Sequence, residues 1–335
     1  MFNFKFTKQS KPLKPSISIS IPNVKDFTPI NNKINLQLYN EPIIKDMAVL
    51  LCYFNPCKYT RIIQNAFTVK HLFDIAKIPY FITEIKHDSD DKYLFYPSDN
   101  VFQYSSNSYL FYKENLITTM EKRIPDIYTK LCTIDFDIVF DNPDWYSIIS
   151  EKLNHVSVTQ PFKNAYYLNL DYSVNNVKKN CIDNRESIHI NYTLEHSGFI
   201  WAFNRTWFND YTMNDYLIAG SGDTILANNI TKKIGNDAAS KLYYSLLNFK
   251  KYTTDVTYDS CHLNIYHLNH GLIINRQYTS LNIILYDIIS KLKITYIDEI
   301  LVRRADNILE YNPNYLTLFN DIMINYFKKR NDDGC

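Results

Sequence analysis

Cys132-Thr-Ile-Asp-Phe-Asp-Ile-Val-Phe-Asp-Asn-Pro-Asp-Trp145 sets two carboxylates one residue apart inside an apolar run. In an extended chain, side chains alternate between faces, so Asp135 and Asp137 share one face while Ile134, Phe136 and Ile138 share the other. Two like charges about 4 Å apart repel by roughly 4 kcal/mol at an effective dielectric near 20, so a buried pair of this kind calls for a cation. Hard oxygen ligands suit Mg2+ or Mn2+. A second such triplet, Asp88-Ser-Asp90, lies in the polar run from His87 to Lys92 and reads as a solvated loop. Context separates the two. The first ends a strand-like segment and precedes Asn142-Pro-Asp-Trp145, which reads as a helix start with proline at the first helical position. Open α/β sheets place ligands where strands end and cross over to helices.

Upstream, Met47-Ala-Val-Leu-Leu-Cys-Tyr-Phe54 is the continuous apolar run of a buried parallel strand. Asn55-Pro-Cys-Lys58 is a turn, and Ile62, Ile63, Ala66, Val69, Phe73 and Ala76 recur at helical spacing up to Pro79. With the strand Tyr80 to Ile85 this makes a βαβ opening, whose crossover is right-handed. A helix over 107–123 and a strand over Lys130 to Asp135 lead into the acidic pair. Beyond it, the pattern predicts a helix over 144–153, a strand over 156–161, and a polar, Asn-rich stretch over 162–194 that reads as a plain surface insertion, with a substrate-facing excursion as the alternative. A buried pattern resumes over 196–207.

Ile218-Ala-Gly-Ser-Gly-Asp-Thr-Ile-Leu-Ala227 places Gly220 and Gly222 before Asp223, which opens a helical stretch. Glycine lets a ligand approach the backbone closely, and aspartate is also a common helix cap. In Cys261-His-Leu-Asn-Ile-Tyr-His-Leu-Asn-His-Gly271, His267 falls near a strand end and His270 in the turn before Gly271. Two imidazoles at that spacing, in a chain with an acidic pair, are candidate metal ligands. Amphipathic helices follow over 278–294 and 313–329, and Arg303-Arg304 and Lys328-Lys-Arg330 read as solvated faces.

The 335 residues carry 36 basic and 35 acidic side chains, a net charge of +1, so no general attraction to nucleic acid or to an anionic membrane is expected. Twenty-eight Tyr and 20 Phe against six Gly suggest an AT-rich gene, with a sugar-stacking surface as the functional alternative. The six cysteines form no CxxC pair and read as free thiols in a reducing compartment. Neither a signal-peptide core nor an apolar run of about 18 residues is present, which predicts a cytoplasmic protein without a transmembrane segment. Three parts are expected: an N-terminal arm or linker over 1–46, a main domain over 47–275, and a C-terminal helical extension over 276–335 packed on it.

The order of these motifs resembles the GT-A fold glycosyltransferases that use nucleotide-sugar donors, similar to inverting family-two and galactosyltransferase-like enzymes. The residues that carry the resemblance are Tyr112-Lys-Glu-Asn115, Ile134-Asp-Phe-Asp-Ile138, Gln160-Pro-Phe162, Gly198-Phe-Ile-Trp-Ala-Phe203, Ala219-Gly-Ser-Gly-Asp223 and His267-Leu-Asn-His-Gly271. It implies an α/β Rossmann-like fold, with a mixed, mostly parallel sheet flanked by helices, and a transferase of the EC 2.4 class. It further implies a Mn2+ or Mg2+ cofactor, a UDP-sugar as donor, and a glycan or protein acceptor. Residue by residue, Asp137 binds the cation, His270 or His267 completes the set, and Asp135 reaches the ribose or the metal. Asp223 is the general base, while Asn55, Pro56, Lys113, Gly220 and Gly222 line the donor pocket.

The sequence departs from the family pattern in two places. Gly222 stands where a glutamate is usual, and Asn269 stands where an aromatic is expected between the late histidines. These departures keep open a non-catalytic nucleotide-sugar or glycan-binding module of the same fold. A phosphoryl-transfer enzyme is disfavoured, because no GxxxxGK[ST] loop is present.

Overall fold

The computed structural model describes residues 38–89, 91–233, 235, 237–246 and 256–334. Most of the 1–46 arm and Asp90 of the second acidic triplet lie outside the described residues. Strand β1 (Met47–Tyr53) is apolar because both its faces are covered: Met47, Val49, Leu51 and Tyr53 join one core, Ala48 and Leu50 another. Helix α1 (Thr60–Ile75) crosses over to β2 (Tyr80–Lys86), which lies parallel to β1. Strand β3 (Val101–Ser105) extends this edge in parallel, and β4 (Lys130–Ile134) flanks β1 on the other side. Helix α2 (Lys113–Glu121) lies between β3 and β4 in the chain.

Strand β4 does not carry the acidic pair along one face, as the alternation of residues predicts. It stops at Ile134, and Asp135–Asp137 is a turn closed by the Ile138 N–H donating to the Asp135 carbonyl at 3.1 Å. The chain then enters β5 (Ile138–Phe140), which belongs to a second sheet. Phe136 anchors this joint, with its ring stacked on Phe95 and edge-on to Tyr53. The two carboxylates therefore hang at the hinge between two sheets. Pro143 likewise falls before the helix rather than inside it: α3 (Trp145–Lys152) starts at Trp145, whose ring lies flat against Phe140 with centroids 4.3 Å apart.

Strand β6 (Val158–Gln160) rejoins the first sheet, whereas β7 (Asn164–Leu168), β8 (Val174–Asn180) and β9 (Glu195–His196) belong to the second. The stretch expected to be a plain insertion thus supplies two strands, β7 and β8, to the second sheet. Its polarity has a local cause, since most of β8 is exposed to solvent. Strand β10 (Ile200–Asn204) runs antiparallel between β4 and β6. Helices α4 (Arg205–Tyr211), α5 (Gly222–Thr231) and α6 (Ala238–Tyr244) follow. Strand β11 (Tyr258–Ser260) completes the first sheet and β12 (Asn264–His267) the second. The sheet orders are β11-β6-β10-β4-β1-β2-β3 and β5-β12-β7-β8-β9. This is the expected α/β class, with a mostly parallel central sheet flanked by helices.

At the C-terminal end, α7 (Tyr278–Lys291), the hairpin β13 (Leu301–Arg303) and β14 (Leu309–Tyr311), and α8 (Leu316–Arg330) share one core with α2 and the start of α5. Three of the basic residues expected to be solvated are engaged there, while Lys328 and Lys329 are exposed. Arg303 grips both oxygens of Asp215 at 2.9 Å, Arg304 pairs with Asp306 and Glu310, and Arg330 is buried. Among the described residues, no helix is long and apolar enough to cross a membrane.

Tyr146, on α3, satisfies the first residue of the central strand. Its hydroxyl accepts from the Met47 N–H at 2.8 Å and donates to the Met47 carbonyl at 2.5 Å. Tyr146→Phe leaves both buried backbone groups unpaired, and urea denaturation is expected to show a loss of about 1–3 kcal/mol.

Candidate functional site

Strands β1 and β4 end at a cavity of about 600 Å³, lined by Phe54, Asn55, Asp135, Asp137, Asp223 and side chains of the C-terminal segment. Its volume is in the range of small-molecule sites, and its place at the carboxyl ends of parallel strands is where α/β sheets bind ligands.

One wall brings together Asp137, His267 and His270, whose ligand atoms all lie within 4.8 Å of one another. Asp137 comes from the hinge turn, His267 from the end of β12, and His270 from the turn beyond it. The β5–β12 pairing aligns Ile138 with His267, and this brings the turn and the histidines together. His270 Nε2 lies 2.9 Å from Asp137 Oδ2, and His267 Nε2 lies 3.7 Å from it. On its other side, His270 Nδ1 donates to Asp332 Oδ1 at 3.1 Å, and Arg330 holds Asp332 at 3.0 Å. An imidazole whose proton sits on Nδ1 carries a lone pair on Nε2, the form that ligates metals.

Arg276 Nη2 donates to this lone pair at 2.7 Å and lies 3.5 Å from His267 Nε2. Asp137 Oδ2 reaches the same nitrogen, and Asp137 Oδ1 is buried with no hydrogen-bond partner among the described residues. A convergence of two imidazole nitrogens and an unpaired carboxylate fits a divalent cation. Burial alone raises the carboxyl of Asp137, but His267, His270 and Arg276 together hold it below the usual range. Burial likewise drives His267 strongly toward its neutral form.

The opposite wall is acidic. Lys113, in the first turn of α2, places its ammonium 2.7 Å from Asp135 Oδ1 and 2.8 Å from Asp223 Oδ2. Its lysine charge is shared, and Asp223 Oδ1 stays buried with no hydrogen-bond partner among the described residues. Burial, assisted by the charges of Asp137 and Asp223 and opposed by Lys113, pushes Asp135 up to about 6. Glu114, the next residue on α2, is 1% exposed, and its Oε2 also has no partner among the described residues. Burial, then the charge of Asp223, pushes its carboxyl up to about 8.

The structure gathers most of the residues singled out in the sequence. Asn55, Pro56, Lys113, Asp135, Asp137, Asp223, His267 and His270 all line the one cavity. Asp135 stands apart from the three-ligand cluster and pairs with Lys113 instead. The amide of Asn55 is already used by its own turn, bonded to the backbone N–H and carbonyl of Tyr59. Gly220 and Gly222 act indirectly. A Cβ on Gly220, which has φ +75°, would stand 2.7 Å from the Phe111 ring, and one on Gly222 would stand 2.2 Å from Glu114 Oε1. Glu114, Arg276, Arg330 and Asp332 were not foreseen as site residues. Glu114 was visible only as part of a motif, and Arg330 and Asp332 were hidden in a charge run at the chain end.

No family model and no curated protein matches the sequence. Solved structures with a similar layout include a Drosophila β1,4-galactosyltransferase 7 in complex with manganese, UDP-Gal and xylobiose, at 12% identity and a TM-score of 0.33. That match covers 56% of this chain and 61% of the galactosyltransferase, so the chain spans less than two thirds of its length. Mannosyl-3-phosphoglycerate synthase from Rubrobacter xylanophilus is similar at 12% identity and a TM-score of 0.35, over 81% of this chain and 88% of that one. Glucosyl-3-phosphoglycerate synthase from Mycobacterium tuberculosis, with Mn2+, UDP and phosphoglyceric acid, is similar at 10% identity and a TM-score of 0.36, over 80% and 87%. Similarity at this level says nothing of this chain's chemistry, which has to come from its own side chains.

The raised Glu114 carboxyl has a measurable consequence for folding. Between its ordinary value of 4.5 and about 8, the native chain keeps a proton that the unfolded chain has lost. The native state binds more protons in that window, so this group's contribution to stability falls as pH rises. Glu114→Gln removes the titration, and its gain over wild type in urea midpoint is expected to be larger at pH 8 than at pH 5.

Proposed function

We propose that this chain is a metal-dependent glycosyltransferase that moves a sugar from a UDP-sugar to an acceptor hydroxyl with inversion. The observation that supports it most is the pairing, in one cavity, of a three-ligand cation cluster with an unpaired carboxylate oxygen on the facing wall. UDP as the nucleotide follows from the motif resemblance. Asp137, His267 and His270 are the proposed ligands, and two imidazoles beside a single carboxylate favour Mn2+ over the more oxygen-demanding Mg2+. A cation held there supplies positive charge to the diphosphate of the donor.

The chain's own residues do the rest. Asp332 fixes the tautomer of His270, as a carboxylate behind a ligating histidine does. Arg276, whose Nε has no partner among the described residues, offers donors to the diphosphate oxygens beside the cluster. Lys113 holds Asp223 Oδ2 and orients that carboxylate. Asp223 Oδ1 takes the proton from the acceptor hydroxyl as its oxygen attacks the anomeric carbon. The bond from that carbon to the diphosphate breaks with both electrons going to the leaving oxygen, and the nucleotide departs from the face opposite the attack.

Asp137→Ala is expected to abolish Mn2+-dependent binding of UDP in calorimetry. Asp332→Asn should weaken Mn2+ binding by roughly 10–100-fold while leaving the ligands in place. Asp223→Asn should bind UDP and Mn2+ like wild type and release UDP from UDP-sugars at least about 100-fold more slowly. Cation-dependent UDP binding by Asp137→Ala would sink the ligand assignment, and full turnover by Asp223→Asn would sink the base.

A further inference from the structure

Glu114 is a buried acid that the chemistry above does not use. Among the described residues no cation pairs with it, because the neighbouring Lys113 ammonium is committed to Asp135 and Asp223. Its side chain fills the space in front of Gly222, so closely that a Cβ there would stand 2.2 Å from Oε1. Gly222 precedes Asp223, and Glu114 therefore sits at the shoulder of the proposed base, on the cavity wall. Burying a carboxyl with an idle oxygen beside two other carboxylates works against folding, and such groups persist where a ligand completes them.

The charge around the cavity narrows what that ligand is. Arg276 and the imidazoles of His267 and His270 face the cation side, whereas Asp135, Asp223 and Glu114 crowd the other side around Lys113. An anionic group is repelled from the acidic side. A cationic group would find Asp135 and Asp223 already taken by Lys113. A carboxyl kept in its acid form presents one O–H donor and one acceptor oxygen, and an alcohol hydroxyl matches both. Burial and the charge of Asp223 favour that acid form up to about pH 8.

We propose that Glu114 binds a sugar hydroxyl next to Asp223, donating from one carboxyl oxygen and accepting at the other. This rests on the sugar-transfer reading and adds a binding residue to it. The hydroxyl belongs either to the sugar of the donor or to that of the acceptor, and the chemistry at Glu114 is the same. Gly222 is then required for space: it lets an acid supplied by α2 occupy ground that its own side chain would take.

The test uses the full chain as wild type, Glu114→Ala and Glu114→Gln, each first checked for a native melting transition. Calorimetry with Mn2+ compares UDP with UDP-glucose, UDP-galactose and UDP-N-acetylglucosamine. UDP release in the presence of free glucose, galactose or xylose then gives KM and kcat for the acceptor. Glu114→Ala is expected to bind UDP as wild type does. If the donor sugar is held, its extra affinity over UDP falls about tenfold; if the acceptor is held, its KM rises about tenfold with kcat changed far less. Glu114→Gln, which keeps one donor and one acceptor, should restore most of either loss. Unchanged values in both arms for Glu114→Ala overturn the proposal, as does a Glu114→Gln variant as weak as Glu114→Ala, since the role is then only structural. Wild type that fails to bind UDP with Mn2+ overturns the sugar-transfer reading itself, and this proposal with it.

Discussion

The shared ammonium of Lys113 is the interaction on which the site depends. It joins Asp135, at the hinge between two sheets, to Asp223, at the start of α5, from a position on α2. Three separate elements are thereby drawn to one point. Desolvation alone pulls the lysine toward its neutral form, yet the surrounding carboxylates keep it charged and raise it well above its ordinary value. Pairs of this kind add little net stability, because both partners lose their water, but removing one partner is costly. Their value here is geometric: Lys113 fixes which oxygen of Asp223 is bonded and which is left over.

The second dependence runs through the chain end. Arg276, Arg330 and Asp332 all follow the last strand of the second sheet, and they back the cluster made by Asp137, His267 and His270. The same tail also completes α1. That helix has no capping side chain of its own at Tyr59, and the Asp333 carboxylate accepts from the Thr60 and Arg61 N–H groups at 2.8 and 2.6 Å. A carboxylate at a helix N-terminus satisfies open N–H groups and meets the positive end of the helix dipole. Tyr59 reciprocates by donating to the Phe327 and Lys328 carbonyls. The first crossover of the fold and its last helix therefore lock together beside the cavity.

Much of this was legible in the sequence where burial imposes a period. Met47 to Phe54 and the helix that follows were readable because β1 is covered on both faces and α1 on one. The acidic pair, Asp223 and the two histidines were readable because carboxylates and imidazoles inside apolar segments need a reason to be there. The hinge was not, since a two-residue alternation looks the same whether the strand continues or bends at Asp135. The β7–β8 hairpin was missed for a related reason: an exposed strand carries no apolar stripe. Asp332 and Arg330 lay in Lys328-Lys-Arg-Asn-Asp-Asp333, a run that reads as solvated. Only long-range packing shows that the chain turns back there and buries two of its charges.

The crowding of Asp135, Glu114 and Asp223 around one lysine is a local conflict that the rest of the fold has to offset. A sequence optimised for stability alone would pair or neutralise these acids, and conflicts of this kind concentrate where a protein does its work. Here the offset is visible in the apolar frame. Phe136 is clamped between Phe95 and Tyr53, and β4 carries only buried residues up to Ile134. Packing thus supports what the Lys113 pairing alone does not satisfy, and two of the acids' oxygens, on Glu114 and Asp223, are left without a partner among the described residues. With a cation held by Asp137, His267 and His270, a rigidly mounted wall of carboxyl groups facing it would be complementary to a molecule that is anionic at one end and hydroxylated at the other.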